Sequence, residues 1–257
     1  MQHSAWFTAA VDNSELLFVL HSAVDAVVAA FDGHDDWGLA GGRPGQYTSD
    51  LVADDAAVAV LTDAGLRVLS EESGLGHGNG MVAVLDPLDG STNASRPLPW
   101  YATSICVVDD SGPLAAVVHD HAAGVRHDAL RDRGARVDGV PLVRREGVEL
   151  GDALVAINGL PPRNPGWGQF RCYGAAALDL CAVADGRFDA FVDYDHDALG
   201  VWDYLGGVLV CREVGVEVVD AKGRDLVSLD PRARRTPVAA PGGLLAPLLE
   251  ARREADL

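Results

Sequence analysis

Two carboxylates three residues apart, followed at once by a glycine and two hydroxyls, lie in the stretch Asp86-Pro87-Leu88-Asp89-Gly90-Ser91-Thr92-Asn93. Carboxylate and carbonyl oxygens are hard donors of the kind that hold Mg²⁺. A turn at Pro87 brings the side chains of Asp86 and Asp89 and the carbonyl of Leu88 toward one point. Gly90 lets the backbone approach a ligand closely, and Ser91 and Thr92 are good N-cap residues for a short helix whose N–H groups face an anion. The pattern suits a metal-bound phosphate. A calcium loop of the EF-hand kind is excluded, because the alternating Asp/Asn ligands and the closing Glu are absent. On its own, an Asp-x-x-Asp-Gly turn is equally compatible with an ordinary surface loop.

The elements around it supply further acids. Met81 to Leu85 is apolar and β-branched enough for a buried strand, with Asp86 at its end and Pro87 closing it. Leu66 to Leu69 is a short strand that delivers Glu71-Glu72-Ser73. Thr48-Ser49-Asp50 opens a helix whose apolar face runs through Val52, Ala56, Val60 and Leu61, with Thr48 and Asp50 as capping residues. Trp202-Asp203 precedes Tyr204-Leu205-Gly206-Gly207, so Asp203 projects from the first turn of a helix, where the dipole favours an acid.

Glu71-Glu72-Ser73, then Asp86-Pro87-Leu88-Asp89-Gly90-Ser91-Thr92-Asn93, then Trp202-Asp203 resemble, in order and spacing, the three signature segments of the inositol monophosphatase family of metal-dependent sugar and nucleotide phosphatases. The resemblance runs from about Thr48 to Gly207. It implies a layered α+β or α/β sandwich of alternating helix and sheet, and metal ligation by Glu71, Asp86, the Leu88 carbonyl, Asp89 and Asp203. The ions implied are two or three Mg²⁺, with Mn²⁺ as a substitute. It further implies that Asp50, Glu71 and Ser91 are catalytic, Ser91 being hydrogen-bonded to Asp50 and orienting the attacking water. Asp54 stands beside Asp50 as an alternative for that acid. Gly90, Ser91 and Thr92 would bind phosphate, and Asp193, Gly174 and Ala175 would contact the rest of the substrate. Serine replaces the family's usual threonine at Ser91 and keeps the hydroxyl. Lithium sensitivity and a homodimer are implied as well. Inositol monophosphate is the substrate expected first; adenosine bisphosphate, fructose bisphosphate and histidinol phosphate stay open. So does a non-catalytic, metal-binding member acting through protein contacts.

The rest of the chain reads as scaffold. Apolar residues at helical spacing from Ser14 to about Phe31 (Leu16, Leu17, Leu20, Val24, Val27, Val28) mark an amphipathic helix. His34 to Gln46 is a Gly- and Asp-rich loop, placed to lie over an active site. Gly74 to Gly80 is a turn with His77 exposed. Tyr101 to Val108 and Leu114 to Val118 form an antiparallel meander, with His119 and His121 on its solvent-exposed rim. Residues 134–142 are a tight hairpin. A boundary near Arg144 to Glu149 divides the chain into two packed halves, residues 1–146 with Glu71 and Asp86–Asp89, and residues 147–257 with Asp203. In the second half, strands at Asp152 to Ile157, Asp189 to Val192 and Val214 to Val219 alternate with helices at Ala175 to Ala184 and after Asp203, which argues for α/β layering.

A length of 257 residues, 48% of them hydrophobic, allows a sizeable core. A formal charge of −18 argues against nucleic acid and anionic membranes as partners, both being polyanions. A small-molecule phosphate monoester is the partner expected. Lys222 is the only lysine, which leaves little room for a lysine nucleophile. Cys106, Cys172, Cys181 and Cys211 have no CxxC spacing and sit in apolar sequence, as buried free thiols do. With no leader-like N-terminus and no apolar run near the ~18 residues of a membrane span, a cytoplasmic protein is expected.

Overall fold

Side chains alternate along the run that carries Asp86, so Val82 and Val84 enter one apolar cluster while Ala83 and Leu85 enter another. Such a strand must be covered on both faces. The computed structural model describes residues 13–143 and 147–254 and meets that demand with stacked layers of helix and sheet. In chain order the first elements are helices α1 (Asn13–Phe31) and α2 (Thr48–Asp63), then strands β1 (Arg67–Ser70), β2 (Gly74–Leu75) and β3 (Val82–Asp89). The short helix α3 (Ser91–Ser95) leads to β4 (Ala102–Asp109), β5 (Gly112–Asp120), β6 (Val125–Leu130), β7 (Ala135–Val137) and β8 (Val140–Pro141). After a 3-10 turn at Leu150–Asp152 come β9 (Leu154–Asn158), β10 (Gln169–Arg171), α4 (Ala176–Ala184), β11 (Ala190–Asp193) and α5 (Val201–Glu213). Strands β12 (Glu217–Asp220) and β13 (Pro237–Ala240) and helix α6 (Gly242–Glu254) complete the described chain.

Two sheets result, with orders β2-β1-β3-β4-β5-β6-β7-β8 and β10-β9-β11-β13-β12. The first is antiparallel except where β1 runs parallel to β3; in the second, β9 is parallel to β10 and β11. Helices α1 and α2 cover the outer face of the first sheet through Leu20, Val24, Ala57 and Leu61 against Leu85, Ile105 and Val117. Helices α4 and α5 lie between the sheets, and α6 covers the outer face of the second through Leu244, Leu245 and Leu248. The chain is thus a layered α+β sandwich. The central cluster draws Leu69, Val84 and Cys106 from the first sheet and Phe191 and Ala239 from the second, so it joins residues from both parts of the chain. Of the expected boundary near Arg144 to Glu149, residues 144–146 lie outside the described residues.

Burial against both sheets makes α5 demanding of space. A Cβ on Gly206 would stand 2.6 Å from Ser104 Oγ, and one on Gly207 2.5 Å from Leu180 Cβ. Both glycines are helical, so it is close approach, not a special φ, that requires them here. Asp138 and Gly139 between β7 and β8 have φ of 47° and 77°, the left-handed pair that a tight hairpin uses.

Several expectations are corrected. Strand β3 does not end at Pro87; it continues to Asp89 across an irregularity in its pairing with β4. Pro87 is tolerated because β1 leaves β3 after Leu85, and no ladder bond there needs its missing N–H. The buried face of α2 is Ser49, Asp50, Ala53, Asp54, Ala57 and Leu61, rotated from the expected one, and its N-cap is Tyr47 rather than Thr48. Val28 of α1 is largely exposed. Of the four thiols, all free, Cys172 is exposed. Strands β6, β10 and β13 and helix α6 were not anticipated. No helix among the described residues is long and apolar enough to cross a membrane.

Candidate active site

Three elements far apart in sequence bring one carboxylate each to a common point. Glu71 follows the last residue of β1, Asp86 lies in β3 and Asp203 in the first turn of α5, and one oxygen from each lies within 4.8 Å of the others. Each is held by its own backbone. The Glu71 amide donates to the Leu85 carbonyl at 3.2 Å, extending the β1–β3 ladder by one residue. Behind it the buried Ser70 hydroxyl donates to Asp54 and accepts from the Glu72 amide. Asp203 is the third residue of α5, and its carboxylate accepts from the Gly200 amide, so the acid is also the helix cap.

Asp86 is 1% exposed. Its Oδ1 accepts from the Leu88 amide at 3.1 Å; its Oδ2 has no hydrogen bond of full geometry among the described residues, and the Asp203 carboxyl lies beside the Asp86 carboxyl. Asp89 Oδ2 accepts from the Ala177 amide at the start of α4, at 2.7 Å. Gly90, with φ 85°, is the N-cap of α3, a place expected of Ser91 or Thr92. A side chain there would meet the Trp100 carbonyl at 2.9 Å and Ala175 Cβ at 3.2 Å, so Gly90 is packed against the Gly174-Ala175 turn. Asn93 Nδ2 fastens that contact by donating to the carbonyls of Trp100 and Tyr173. Thr92 Oγ1 lies 3.1 Å from the Tyr47 hydroxyl.

Crowded carboxylates resist ionisation. Burial, then Glu71, Asp89 and Asp203, push Asp86 well above the usual carboxylate range. Asp89 is raised likewise by burial and by Asp203. Asp203 is pushed up to about 8 by burial first and Glu71 second. Glu71 is raised by burial and Glu72, against the pull of Arg43 and Arg234. Asp50 is raised to about 7, chiefly by burial, with the Tyr47 amide and the nearby Ser91 hydroxyl opposing. The Tyr47 amide donates to Asp50 Oδ2 at 2.8 Å, whereas Oδ1, buried, has no hydrogen bond of full geometry among the described residues, Ser91 included. Buried acids that lower one another's tendency to ionise, an inward oxygen without a hydrogen bond of full geometry and a donor set of oxygen alone fit a hard divalent cation.

Other expected residues are placed differently. Asp54 is buried but serves Ser70 and the Glu71-Glu72 turn, while Asp50 faces the acid cluster. Asp193 is fully buried, with Oδ1 accepting from Asn158 Nδ2 and the Asp195 amide and Oδ2 without a partner among the described residues. The charged groups that weigh on it are Asp195 and Arg252, and it is raised to about 7, mainly by burial. Asp197 is taken up by Lys222 and Arg224. His119 and His121 do not form an exposed rim: His119 is 7% exposed, and His121 stacks on Tyr101 and meets Phe31 edge-on. Burial, with His119 and Arg126, holds His121 down at about 3.

Four residues were missed. Arg43 and Gln46, from the loop expected over the site, both bind Glu72, and Arg43 Nη2 lies 3.8 Å from Glu71. Arg234 faces Glu71 and Asp203 while its guanidinium lies over Trp202. Asp179, a lone acid in the otherwise apolar α4, accepts from Trp100 Nε1 at 3.0 Å; burial pushes its own carboxyl up to about 8, and when ionised it raises Asp89 further. That isolation within an apolar helix was the available signal; the two arginines carry none in the sequence.

The model of the inositol monophosphatase family matches residues 49–257. A fructose-1,6-bisphosphatase/inositol-1-monophosphatase of Archaeoglobus fulgidus is 35% identical over 222 residues, covering 81% of this chain and 85% of that one. A protein named Nus factor SuhB from Xylella fastidiosa is 32% identical over 206 residues, covering 72% and 73%. Among solved structures, a hypothetical Pyrococcus horikoshii protein with similarities for inositol-1 monophosphatase superposes with a TM-score of 0.79 at 24% identity, covering 93% of this chain and 96% of that one.

Proposed function

The chain belongs to the inositol monophosphatase family, and from that premise and the acid cluster we propose that it is an Mg²⁺-dependent phosphomonoesterase that hydrolyses inositol monophosphate to inositol and phosphate. The observation that carries the reading is the meeting of Glu71, Asp86 and Asp203, with a buried Asp86 Oδ2 that lacks a hydrogen bond of full geometry among the described residues. Glu71, Asp86, the Leu88 carbonyl, Asp89 and Asp203 would hold two or three Mg²⁺, with Mn²⁺ able to substitute. Bound there, the ions supply a lowered water pKa and positive charge for the phosphoryl and leaving oxygens.

This chain's own groups do the rest. Gly90, Ser91 and Thr92 bind the phosphate oxygens, with Thr92 steadied by the Tyr47 hydroxyl. Asp50 accepts the proton of the attacking water through Ser91. Gly174 and Ala175 form the side toward the alcohol, which fits the contact of Gly90 with the Gly174-Ala175 turn, whereas Asp193, fully buried on Asn158 and the Asp195 amide, is not exposed there. The family reading also carries Li⁺ sensitivity, a homodimer and a cytoplasmic place.

Fructose bisphosphate is the first alternative, favoured by the A. fulgidus relative's name. Adenosine bisphosphate and histidinol phosphate follow. A second reading, a protein-binding role beside or in place of catalysis, rests on the similarity to proteins named Nus factor SuhB. Phosphate release from a panel of these esters, with Mg²⁺ and with chelator, tests the proposal. Turnover of inositol monophosphate that Mg²⁺ restores supports it; no release from any ester by Mg²⁺-loaded protein overturns it.

A further inference from the structure

We propose that Thr103 and His121 are positioning residues that hold the backbone of the metal-binding strand in the bulged form that puts Asp86 and Asp89 on one side of the sheet. The inference rests on the metal-phosphatase reading above. Residues three apart on a regular strand point to opposite faces, because side chains alternate with a period of two. Asp86 and Asp89 are three apart, yet both must reach the face where α4 and α5 lie. The pairing of β3 with β4 resolves this: Asp86 stands opposite Ser104 and Asp89 opposite Ala102, so Pro87 and Leu88 together face the single residue Thr103. The extra residue is a β-bulge, and it shifts the alternation by one.

A bulge strands backbone groups, and buried ones need partners. Pro87 has no N–H, and the Leu88 amide is taken by Asp86 Oδ1. The Pro87 carbonyl accepts from the Thr103 hydroxyl at 2.8 Å. Thr103 is fully buried and sits opposite the bulge, between the β4 residues Ala102 and Ser104 that pair with β3, without a β3 counterpart of its own. A threonine hydroxyl has a single proton. Since that proton goes to Pro87, the 2.8 Å contact between Thr103 Oγ1 and His121 Nε2 must be donated by the imidazole, whichever its charge. His121 is itself fixed on three sides, by Tyr101, Phe31 and His119, and its amide donates to the Tyr101 carbonyl. A line of two hydrogen bonds thus runs from a clamped ring to the carbonyl between two metal-side carboxylates.

Four variants test this, each read by calorimetric titration of metal-free protein with Mg²⁺ and Mn²⁺, beside phosphate release and circular dichroism. Thr103→Val keeps the shape and removes the hydroxyl; the expected result is a folded protein with metal affinity lower by about tenfold or more, the scale seen when groups that orient ligands are lost. Thr103→Ser restores the hydroxyl and should recover most of that affinity. His121→Leu should weaken binding and His121→Gln, which retains an N–H donor, should recover it. Wild-type affinity in folded Thr103→Val overturns the inference, as does equal loss in Thr103→Ser, which would assign the effect to the methyl group. If Thr103→Val does not fold, the His121 pair decides: equal affinity in the Leu and Gln variants overturns it. Wild-type protein that binds Mg²⁺ but hydrolyses no ester overturns the proposed function and leaves this inference standing. Wild-type protein that binds neither ion overturns both.

Discussion

Replacing Asp203 by Asn should move stability in opposite directions with and without metal. In metal-free protein the carboxyl titrates at about 8 instead of near 3.8, because burial and Glu71 oppose its charge. A carboxyl raised in the folded state contributes fully below its unfolded pKa, and that contribution is lost as pH rises toward the folded value. At pH 8 the gap is about four pH units at roughly 1.4 kcal/mol each, or about 5 kcal/mol once half-ionisation of the folded state is allowed for. The residue keeps some surface, so solvent screening brings a reasonable expectation to about 2 kcal/mol. Asn removes this penalty and can still accept the Gly200 amide that caps α5. In chelator at pH 8 the variant should therefore melt higher than wild type by about 4–8 °C, and the two should converge near pH 4. In saturating Mg²⁺ the order should reverse, since ligand binding stabilises in proportion to the logarithm of occupancy and the variant has lost a ligand. Differential scanning calorimetry at pH 4.5 and 8, in chelator and in Mg²⁺, makes the comparison. A variant less stable than wild type in chelator at pH 8, or equal stabilisation of both by Mg²⁺, would refute the reasoning.

Ser91→Ala should lower kcat by about 10²-fold or more, while Ser91→Thr keeps most activity; equal kcat for the two in a phosphate-release assay removes the water-orienting role. Asp50→Asn should lower kcat by about 10²-fold or more, the scale of losing a proton acceptor, with circular dichroism unchanged; wild-type kcat in the folded variant removes Asp50 from the reaction. Gly207→Ala should cost about 1–3 kcal/mol in urea unfolding, because the new methyl meets the fixed Leu180 Cβ at 2.5 Å. Gly206→Ala should cost less, since its nearest neighbour, at 2.6 Å, is the Ser104 hydroxyl oxygen, which can rotate away.

What could be read in the sequence was what is local. The carboxylate spacing, the glycine and the hydroxyls of the 86–93 stretch lie on consecutive residues, and Glu71 and Asp203 were reachable by resemblance. The bulge was not legible, since Pro87 alone signals an ended strand as well as a bulged one; only the register against β4 decides between them. The face of α2 was misplaced because the apolar Val52, Ala56 and Val60 drew the stripe away from Asp50 and Asp54, which are buried by the acid cluster and by Ser70. His119 and His121 read as rim residues because imidazoles are polar, and the ring of Phe31 that encloses His121 comes from a helix ninety residues earlier. Strand β13 carries a proline and two alanines, too weak a pattern to register before its neighbours β11 and β12 are in place.

The paired glycines of α5 separate two kinds of evolutionary change. Asp203 is placed by how deeply a helix seats, with Gly206 against Ser104 and Gly207 against Leu180, and by the Gly200 amide that its carboxylate accepts. Exchange of the exposed Asp195, His196 or Ala198 side chains ahead of that cap should therefore leave the carboxylate where it is. The counterpart is a helix closed to drift, holding two residues that each forgo about 1 kcal/mol of helix propensity so that a third keeps its position.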